Sequence, residues 1–274
     1  MLNNQLIDSV IDISRNAGEA ILEIYNSEFD YEIKEDLSPL TKADKISHRV
    51  IFQMLKSLTP NLPILSEEDS NIPYVIRSKW KKYWLIDPLD GTKEFIKRNG
   101  EFTVNIALIE NHSPVLGVIH IPVSGETYWG SNVDGSYFSK KNKIPKKINI
   151  SKKTENPIRI VASRSHYNTA LDYVLDEIGN FKMITKGSSL KFCLIANGEA
   201  DIYPRIGLTS EWDIAAGEAI VKYSGGYMLD IDGNHLKYNH KKDFLNPYFI
   251  ASNDKKKLES LLLTIKSFRK NNSF

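Results

Sequence analysis

Tyr83-Trp84-Leu85-Ile86-Asp87-Pro88-Leu89-Asp90-Gly91-Thr92 runs from an apolar segment of strand length into an acidic turn. The apolar run reads as a buried strand that delivers Asp87. Pro88 then turns the chain, and Asp90-Gly91-Thr92 follows ahead of Lys93-Glu94-Phe95-Ile96. Two carboxylates on a tight turn at a strand's end can converge on one point. Gly91 permits a positive φ or a close backbone approach. Asp-Pro and Asp-Gly are also ordinary turn dipeptides, so this stretch alone leaves a purely structural turn open.

Two more acidic groups bear on that choice. Ile64-Leu65-Ser66-Glu67-Glu68-Asp69 again puts acids at the end of an apolar run, where a surface loop is the plain alternative. Asp213 follows Glu211-Trp212 and opens Ile214-Ala215-Ala216-Gly217. With Ser210 it has the capping-box spacing, which contributes about 0.5–2 kcal/mol to a helix, so a cap competes with a ligand role. The small Ala215, Ala216 and Gly217 let that helix pack closely on a neighbour. Asp44, in Leu40-Thr41-Lys42-Ala43-Asp44, stands at the start of another helix and reads by itself as an N-cap.

If Glu67, Asp87, Asp90 and Asp213 meet, they cannot stay ionised and unpaired. Two unit charges about 4 Å apart repel by roughly 4 kcal/mol at an effective dielectric near 20. Cations must neutralise them, or their pKa values must rise. The three acidic motifs contain no histidine or cysteine, and an all-oxygen site selects Mg²⁺ or Mn²⁺ over zinc. Several acids with room for two ions suit phosphoryl transfer.

Outward from this centre, the N-terminal third is helical. Leu6, Ile7, Val10, Ile11, Ala17, Ile21 and Ile24 recur at helical spacing, and so do Ile46, Val50, Ile51, Met54, Leu55 and Leu58 before Thr59-Pro60. The middle changes period. Phe102, Val104, Ile106 and Leu108 alternate, Val115 to Ile119 follow the turn Asn111-His112-Ser113-Pro114, and Tyr128-Trp129-Gly130 and Tyr137-Phe138 add strands, predicting antiparallel β. Residues 139–153 are lysine-rich without a period and read as a solvated loop or junction. Beyond it, strand and helix alternate: strands at 158–162, 181–185, 201–203, 225–229 and 248–250, helices at 169–178, 190–196, 214–223 and 258–265. The expected division is an N-terminal α+β half, 1–150, carrying most of the acids, and a C-terminal α/β half, 151–274.

Composition excludes other classes. Of 274 residues, 41% are hydrophobic and 26% charged, ordinary globular values. A net charge of +2 gives no warrant for nucleic-acid binding. The single cysteine, Cys193, rules out an internal disulfide and favours a reducing compartment. Its apolar helical setting predicts a buried thiol, and a cysteine phosphatase would need arginine at position 199, where glutamate stands. There is no signal-peptide pattern at the N-terminus and no apolar run approaching the roughly 18 residues of a membrane span. The expectation is a cytoplasmic protein, with peripheral attachment to the cytoplasmic face of the inner membrane left open.

Leu65-Ser66-Glu67-Glu68, Trp84 to Thr92 and Glu211-Trp212-Asp213-Ile214-Ala215-Ala216-Gly217 together resemble the signatures of the inositol monophosphatase superfamily, in its order and spacing. Lys93 to Asn105, Ala162-Ser163-Arg164-Ser165-His166 and Gly187-Ser188-Ser189-Leu190-Lys191-Phe192-Cys193 are similar to the bacterial 3′(2′),5′-bisphosphate nucleotidases within it. The resemblance implies an α/β fold, a layered α/β/α/β/α sandwich of the sugar-phosphatase type. It implies Mg²⁺ ions, at least two per site with Mn²⁺ as a substitute, on Glu67, Asp87, Asp90, Asp213 and the Leu89 carbonyl. Asp44 and Thr92, with Glu67, would serve the attacking water.

By the same resemblance, the substrate is a small nucleotide, 3′-phosphoadenosine 5′-phosphate, a by-product of sulfate assimilation hydrolysed to AMP. It would be held by His166, Ser188, Lys191 and Arg205 alongside Glu67, Leu89, Asp90, Gly91, Thr92 and Asp213. Without the resemblance, Lys191 and Arg205 read as solvated cations. Inhibition by millimolar Li⁺ is also implied. Attack by water is expected to be direct, without a phosphoenzyme. The haloacid dehalogenase loop, which Asp90-Gly91-Thr92 resembles, needs an aspartate where this chain has Pro88. The competing readings are a sibling activity on inositol or sugar phosphates and a non-catalytic nucleotide- or metal-binding protein. Oligomeric state is not legible.

Overall fold

The structure, a computed structural model, describes residues 2–33, 39–141, 143–163 and 169–271. Its helices are α1 (Asn4–Tyr25), α2 (Lys42–Leu58), α3 (Tyr74–Arg77), α4 (Thr92–Ile96), α5 (Thr169–Ile178), α6 (Leu190–Ala196), α7 (Glu211–Tyr223) and α8 (Lys255–Asn271). The short strands β1 (Tyr31–Ile33) and β2 (Pro39–Thr41) pair with each other. A seven-stranded sheet comprises β3 (Ile64–Ser66), β4 (Lys82–Asp90), β5 (Thr103–Glu110), β6 (Ser113–Ile121), β7 (Glu126–Ser131), β8 (Gly135–Lys140) and β9 (Lys146–Ile148), in that spatial order. A five-stranded sheet comprises β10 (Ile158–Ser163), β11 (Phe181–Lys186), β12 (Ile202–Arg205), β13 (Tyr227–Asp230) and β14 (Phe249–Ser252), ordered β11-β10-β12-β14-β13.

Strand alternation sorts the core into layers. Trp84, Ile86, Val104, Ile106 and Leu108 face one way and pack with Val10, Ala17, Ile21, Ile51 and Leu55 of α1 and α2. Their neighbours Tyr83, Leu85, Ala107 and Ile109 face the other way, onto Phe192 and Ile195 of α6 and Ala216 and Ile220 of α7. Val161, Tyr203, Phe249 and Ala251 close that middle layer from the second sheet. Ile160, Ala162, Ile202 and Ile250, on the sheet's other face, meet α5 and α8 through Val174, Leu175, Leu258 and Leu261. The result is the α/β/α/β/α sandwich.

The middle helix α7 sits close to the first sheet because glycine opens the way. A Cβ on Gly117 of β6 would lie 2.2 Å from the Ala216 carbonyl oxygen, and one on Gly217 would lie 2.2 Å from the Phe192 ring. That closeness brings the α7 N-terminus, and Asp213 with it, to the end of β4.

Three sequence expectations change, and the pairing of β3 is a fourth point that the sequence reading did not address. β4 does not turn at Pro88 but continues to Asp90, with the turn at Gly91, where φ is +89°. β3 joins the first sheet parallel to β4, whereas the remaining pairs of that sheet are antiparallel. The turn after β5 is confined to Asn111 and His112, both at positive φ, and Ser113-Pro114 already belongs to β6. The lysine-rich 139–153 stretch contains β9, a short strand on β8 that buries Ile148. Three residues are too few to display a period. Cys193 is buried as expected. Among the described residues no helix is long and apolar enough to cross a membrane.

Candidate active site

Pro88 lacks the N–H that a ladder hydrogen bond requires, so β4 cannot pair regularly there. The register moves from Asp87↔Asn105 to Asp90↔Thr103, placing one extra residue on β4. Such a bulge bends the strand and re-aims its side chains. Leu89 N donates to Asp87 Oδ1 at 3.1 Å, and Ser47 Oγ of α2 donates to the Pro88 carbonyl at 2.7 Å. The bulge is therefore tied down from inside and from the helix layer.

Glu67 arrives beside it because β3 is parallel to β4: Ser66 pairs with Ile86, and Glu67 N donates to the Ile86 carbonyl at 3.2 Å. Asp213 comes from the third position of α7. Carboxylate oxygens of Glu67, Asp87 and Asp213 lie within 4.8 Å of one another, a group that could hold a metal ion. Burial pushes the Asp87 carboxyl well above the usual range, and the charges of Glu67, Asp90, Asp213 and Asp44 push it further. Burial likewise raises Asp213, followed by Asp90 and Glu67, against lowering by the Ser210 N–H and Arg205. These acids are held together at a cost that a cation would remove.

The caps resolve differently from one another. Ser210 N donates to Asp213 Oδ2 at 2.8 Å, the box read from the sequence, so Asp213 caps and faces the acids at once. Asp44 is not the N-cap of α2. That place is held by Thr41, whose N and Oγ1 donate to Asp44 Oδ2 at 2.7 and 2.6 Å. Asp44 stands three residues further on, so its other oxygen is left for Thr92, whose Oγ1 donates to Asp44 Oδ1 at 3.2 Å. Thr92 Oγ1 also lies 3.3 Å from the Leu89 carbonyl.

A cleft of about 260 Å³ opens over these groups, lined by Glu67, Asp87, Leu89, Asp90, Gly91, Thr92 and Asp213 and also by Ser188, Lys191 and Arg205. Asp44 lies behind Thr92, buried. His166 lies outside the described residues. Lys191 and Arg205 are buried, not solvated as the residues alone suggested. Burial lowers the Lys191 ammonium to about 8, and its Nζ donates to the Ser188 carbonyl and sits 5.5 Å from the Tyr203 ring centroid. One guanidinium nitrogen of Arg205 donates to the Leu208 carbonyl at 2.8 Å, while its Nε is buried without a partner.

Two supports escaped the sequence reading. Thr103 and Asn105 back Asp90: the bulge makes Thr103 its cross-strand partner, and Asn105, paired with Asp87, donates Nδ2 to Asp90 Oδ2 at 3.4 Å. Arg77, from the short α3, donates to Asn239 Oδ1 at 2.5 Å, Asn239 N donates to Glu211 Oε2 at 2.8 Å, and Glu211 N donates to the Phe244 carbonyl at 2.9 Å. This clamp fixes the start of α7 and hence Asp213. A lone arginine in a polar junction carries no sequence signal of such a role.

Comparison with known proteins places this arrangement. Residues 2–270 match the inositol monophosphatase family. The chain is 46% identical over 246 residues to "3′(2′),5′-bisphosphate nucleotidase CysQ" of Salmonella typhimurium, covering 89% of this chain and 98% of the relative. It is 45% identical over 249 residues to the protein of that name from Escherichia coli K12, covering 90% and 99%. Among solved structures, CysQ from Bacteroides thetaiotaomicron, described as a bacterial member of the inositol monophosphatase family, superposes with a TM-score of 0.77 at 39% identity, covering 89% and 95%. An IMPase from Thermotoga maritima shares the fold, with a TM-score of 0.79 at 24% identity over 97% of this chain and 99% of that one. With this match over nearly its whole length, the chain belongs to the inositol monophosphatase family.

Proposed function

We propose that this protein is a Mg²⁺-dependent 3′(2′),5′-bisphosphate nucleotidase that removes the 3′-phosphate of 3′-phosphoadenosine 5′-phosphate to give AMP. The observation that carries the reading is the convergence of Glu67, Asp87 and Asp213, with Asp90 and two buried cations, Lys191 and Arg205, on the same cleft. Relatives at 45% and 46% identity bear the nucleotidase name.

Glu67, Asp87, Asp90 and Asp213, with the Leu89 carbonyl, would hold the metal; the donors are all oxygen, which fits Mg²⁺ and accepts Mn²⁺. Bound there, Mg²⁺ supplies the positive charge that neutralises these acids and the substrate phosphate and makes water more acidic. The chain's own part is positional and proton-handling. Asp44 Oδ1 accepts the Thr92 hydroxyl hydrogen bond, leaving the Thr92 oxygen lone pairs to accept one from water in the cleft; as that water gives a proton to Thr92 Oγ1, the Thr92 proton would pass to Asp44 Oδ1. Oδ2 of Asp44 is engaged by Thr41, so the carboxylate cannot rotate away. Lys191 and Arg205, which line the same cleft, would take the second phosphate of a bisphosphate, and the unpartnered Arg205 Nε would offer a donor to it. His166 and Ser188 complete the nucleotide contacts by resemblance, as does sensitivity to Li⁺. One cysteine in 274 residues fits a reducing compartment, and we place the protein in the cytoplasm.

Asp90→Asn tests the reading: phosphate release from 3′-phosphoadenosine 5′-phosphate is expected to vanish while the circular dichroism spectrum is unchanged. A folded variant with full turnover would refute the catalytic assignment.

A further inference from the structure

Asp90 has hydrogen-bond partners that are not acids. Its Oδ2 accepts from Ser188 Oγ at 2.6 Å and from Asn105 Nδ2 at 3.4 Å. Thr103 Oγ1 lies 2.7 Å from Ser188 Oγ and 2.7 Å from Ser189 Oγ. Ser189 Oγ lies 2.8 Å from Asn105 Oδ1, with Thr103 Oγ1 3.0 Å from the same atom. Thr103, Asn105 and Ser189 are buried.

Each hydroxyl has one proton, which fixes the direction of the chain. Ser188 Oγ donates to Asp90 Oδ2, which uses its one proton. The short Thr103–Ser188 contact then needs the Thr103 proton, and the short Thr103–Ser189 contact needs the Ser189 proton, shared with Asn105 Oδ1. The bonds run Ser189 to Thr103 to Ser188 to Asp90 Oδ2, each polarising the next toward the carboxylate.

The network joins the two sheets. Thr103 and Asn105 belong to β5, while Ser188 and Ser189 precede α6. Glu101 secures the junction by accepting from Gly187 N at 2.9 Å and pairing with Lys186 at 3.2 Å. Ser188, at φ +49°, holds a backbone conformation that few residues other than glycine adopt, so its place is dictated by these partners.

From this we infer that Thr103, Ser189 and Asn105 are positioning residues: Asn105 directly, and Ser189 and Thr103 through the Ser188 hydroxyl, engage Oδ2 of Asp90 so that Oδ1 is left for the cation, and they thereby set metal affinity. The inference rests on Asp90 being a metal ligand, as in the proposed function. It also means that the Ser188 hydroxyl reaches Asp90 as a donor and meets any substrate group as an acceptor.

The test is a Mn²⁺ titration of the full-length protein followed by electron paramagnetic resonance, which reads metal binding without substrate. Thr103→Val is expected to weaken Mn²⁺ binding by about 10-fold or more, the scale seen when groups behind a ligand are removed. Thr103→Ser, which keeps the hydroxyl, restores affinity, and Ser189→Ala gives a smaller loss in the same direction. Wild-type affinity in a folded Thr103→Val variant overturns the inference, and so does equal loss in Thr103→Ser. If Thr103→Val does not fold, Ser189→Ala decides: a loss supports the network, and unchanged affinity overturns it. Should wild-type protein itself bind no Mn²⁺, the metal reading of the site fails and the inference with it.

Discussion

Thr92 Oγ1 donates to Asp44 Oδ1 across 3.2 Å, joining residues 48 positions apart, one in the first turn of α2 and the other opening α4. Neither residue touches the other's segment by chance. Thr41 clamps the far oxygen of Asp44, and the left-handed Gly91 swings Thr92 back over the β4 bulge.

Removing either end of that pair should impair chemistry more than binding. Thr92→Val and Asp44→Asn are expected to lower kcat by about 10²- to 10⁴-fold, the usual worth of general acid–base assistance. Mn²⁺ affinity should stay near wild type, and Thr92→Ser should retain most activity. Steady-state kinetics beside a Mn²⁺ titration checks this; an equal loss of metal binding would make the pair structural.

Asp87 gives a stability signature with a definite sign. Its carboxyl is raised well above 3.8, so the folded chain binds more protons than the unfolded one in that interval, and stability falls as pH rises through it. In EDTA, Asp87→Asn should melt above wild type at pH 8, with the gap closing as pH falls toward 4. Saturating Mg²⁺ should reverse the order, because the variant has lost a ligand. Melting curves in EDTA and in Mg²⁺ decide it, and a variant less stable than wild type in both would contradict the account.

The depth at which α7 is set gives a packing prediction. Gly117→Ala places a Cβ 2.2 Å from the Ala216 carbonyl, backbone against backbone, where no side-chain rotation relieves the clash. Overpacking of this kind costs typically 1–3 kcal/mol, and the shift should carry Asp213 away from Glu67 and Asp87. Urea unfolding and metal titration of the same sample should both register the loss.

If Lys191 and Arg205 take the second phosphate as proposed, substrate choice depends on them. Arg205→Ala should raise KM for 3′-phosphoadenosine 5′-phosphate by about 10- to 150-fold, the equivalent of about 1.5–3 kcal/mol for a hydrogen bond to a charged group. With 3′-AMP, which lacks the second phosphate, the change should be much smaller. Equal losses on both substrates would remove Arg205 from the phosphate site.

Much of this was legible in the sequence, for definable reasons. The strand ending in Asp87, the helix opening at Ser210 and the alternating second half are marked by local periodicity and capping chemistry. So is the Ser210–Asp213 box, which survives alongside a ligand geometry. What was not legible depends on pairing across space. The continuation of β4 through Pro88 needs its β5 partners, and the parallel approach of β3 needs β4. The burial of Lys191 and Arg205 needs the second sheet, and the parts played by Thr103, Asn105 and Arg77 exist only once distant segments are packed together. The Asp44 cap misled because Thr41, not Asp44, ends the preceding extended stretch.

The most direct test of the central claim is the rate of phosphate release with Mg²⁺ from 3′-phosphoadenosine 5′-phosphate against that from inositol 1-phosphate, each repeated in EDTA. The account predicts Mg²⁺-dependent turnover with the nucleotide clearly preferred. Faster turnover of inositol 1-phosphate, or release that persists undiminished in EDTA, would contradict it.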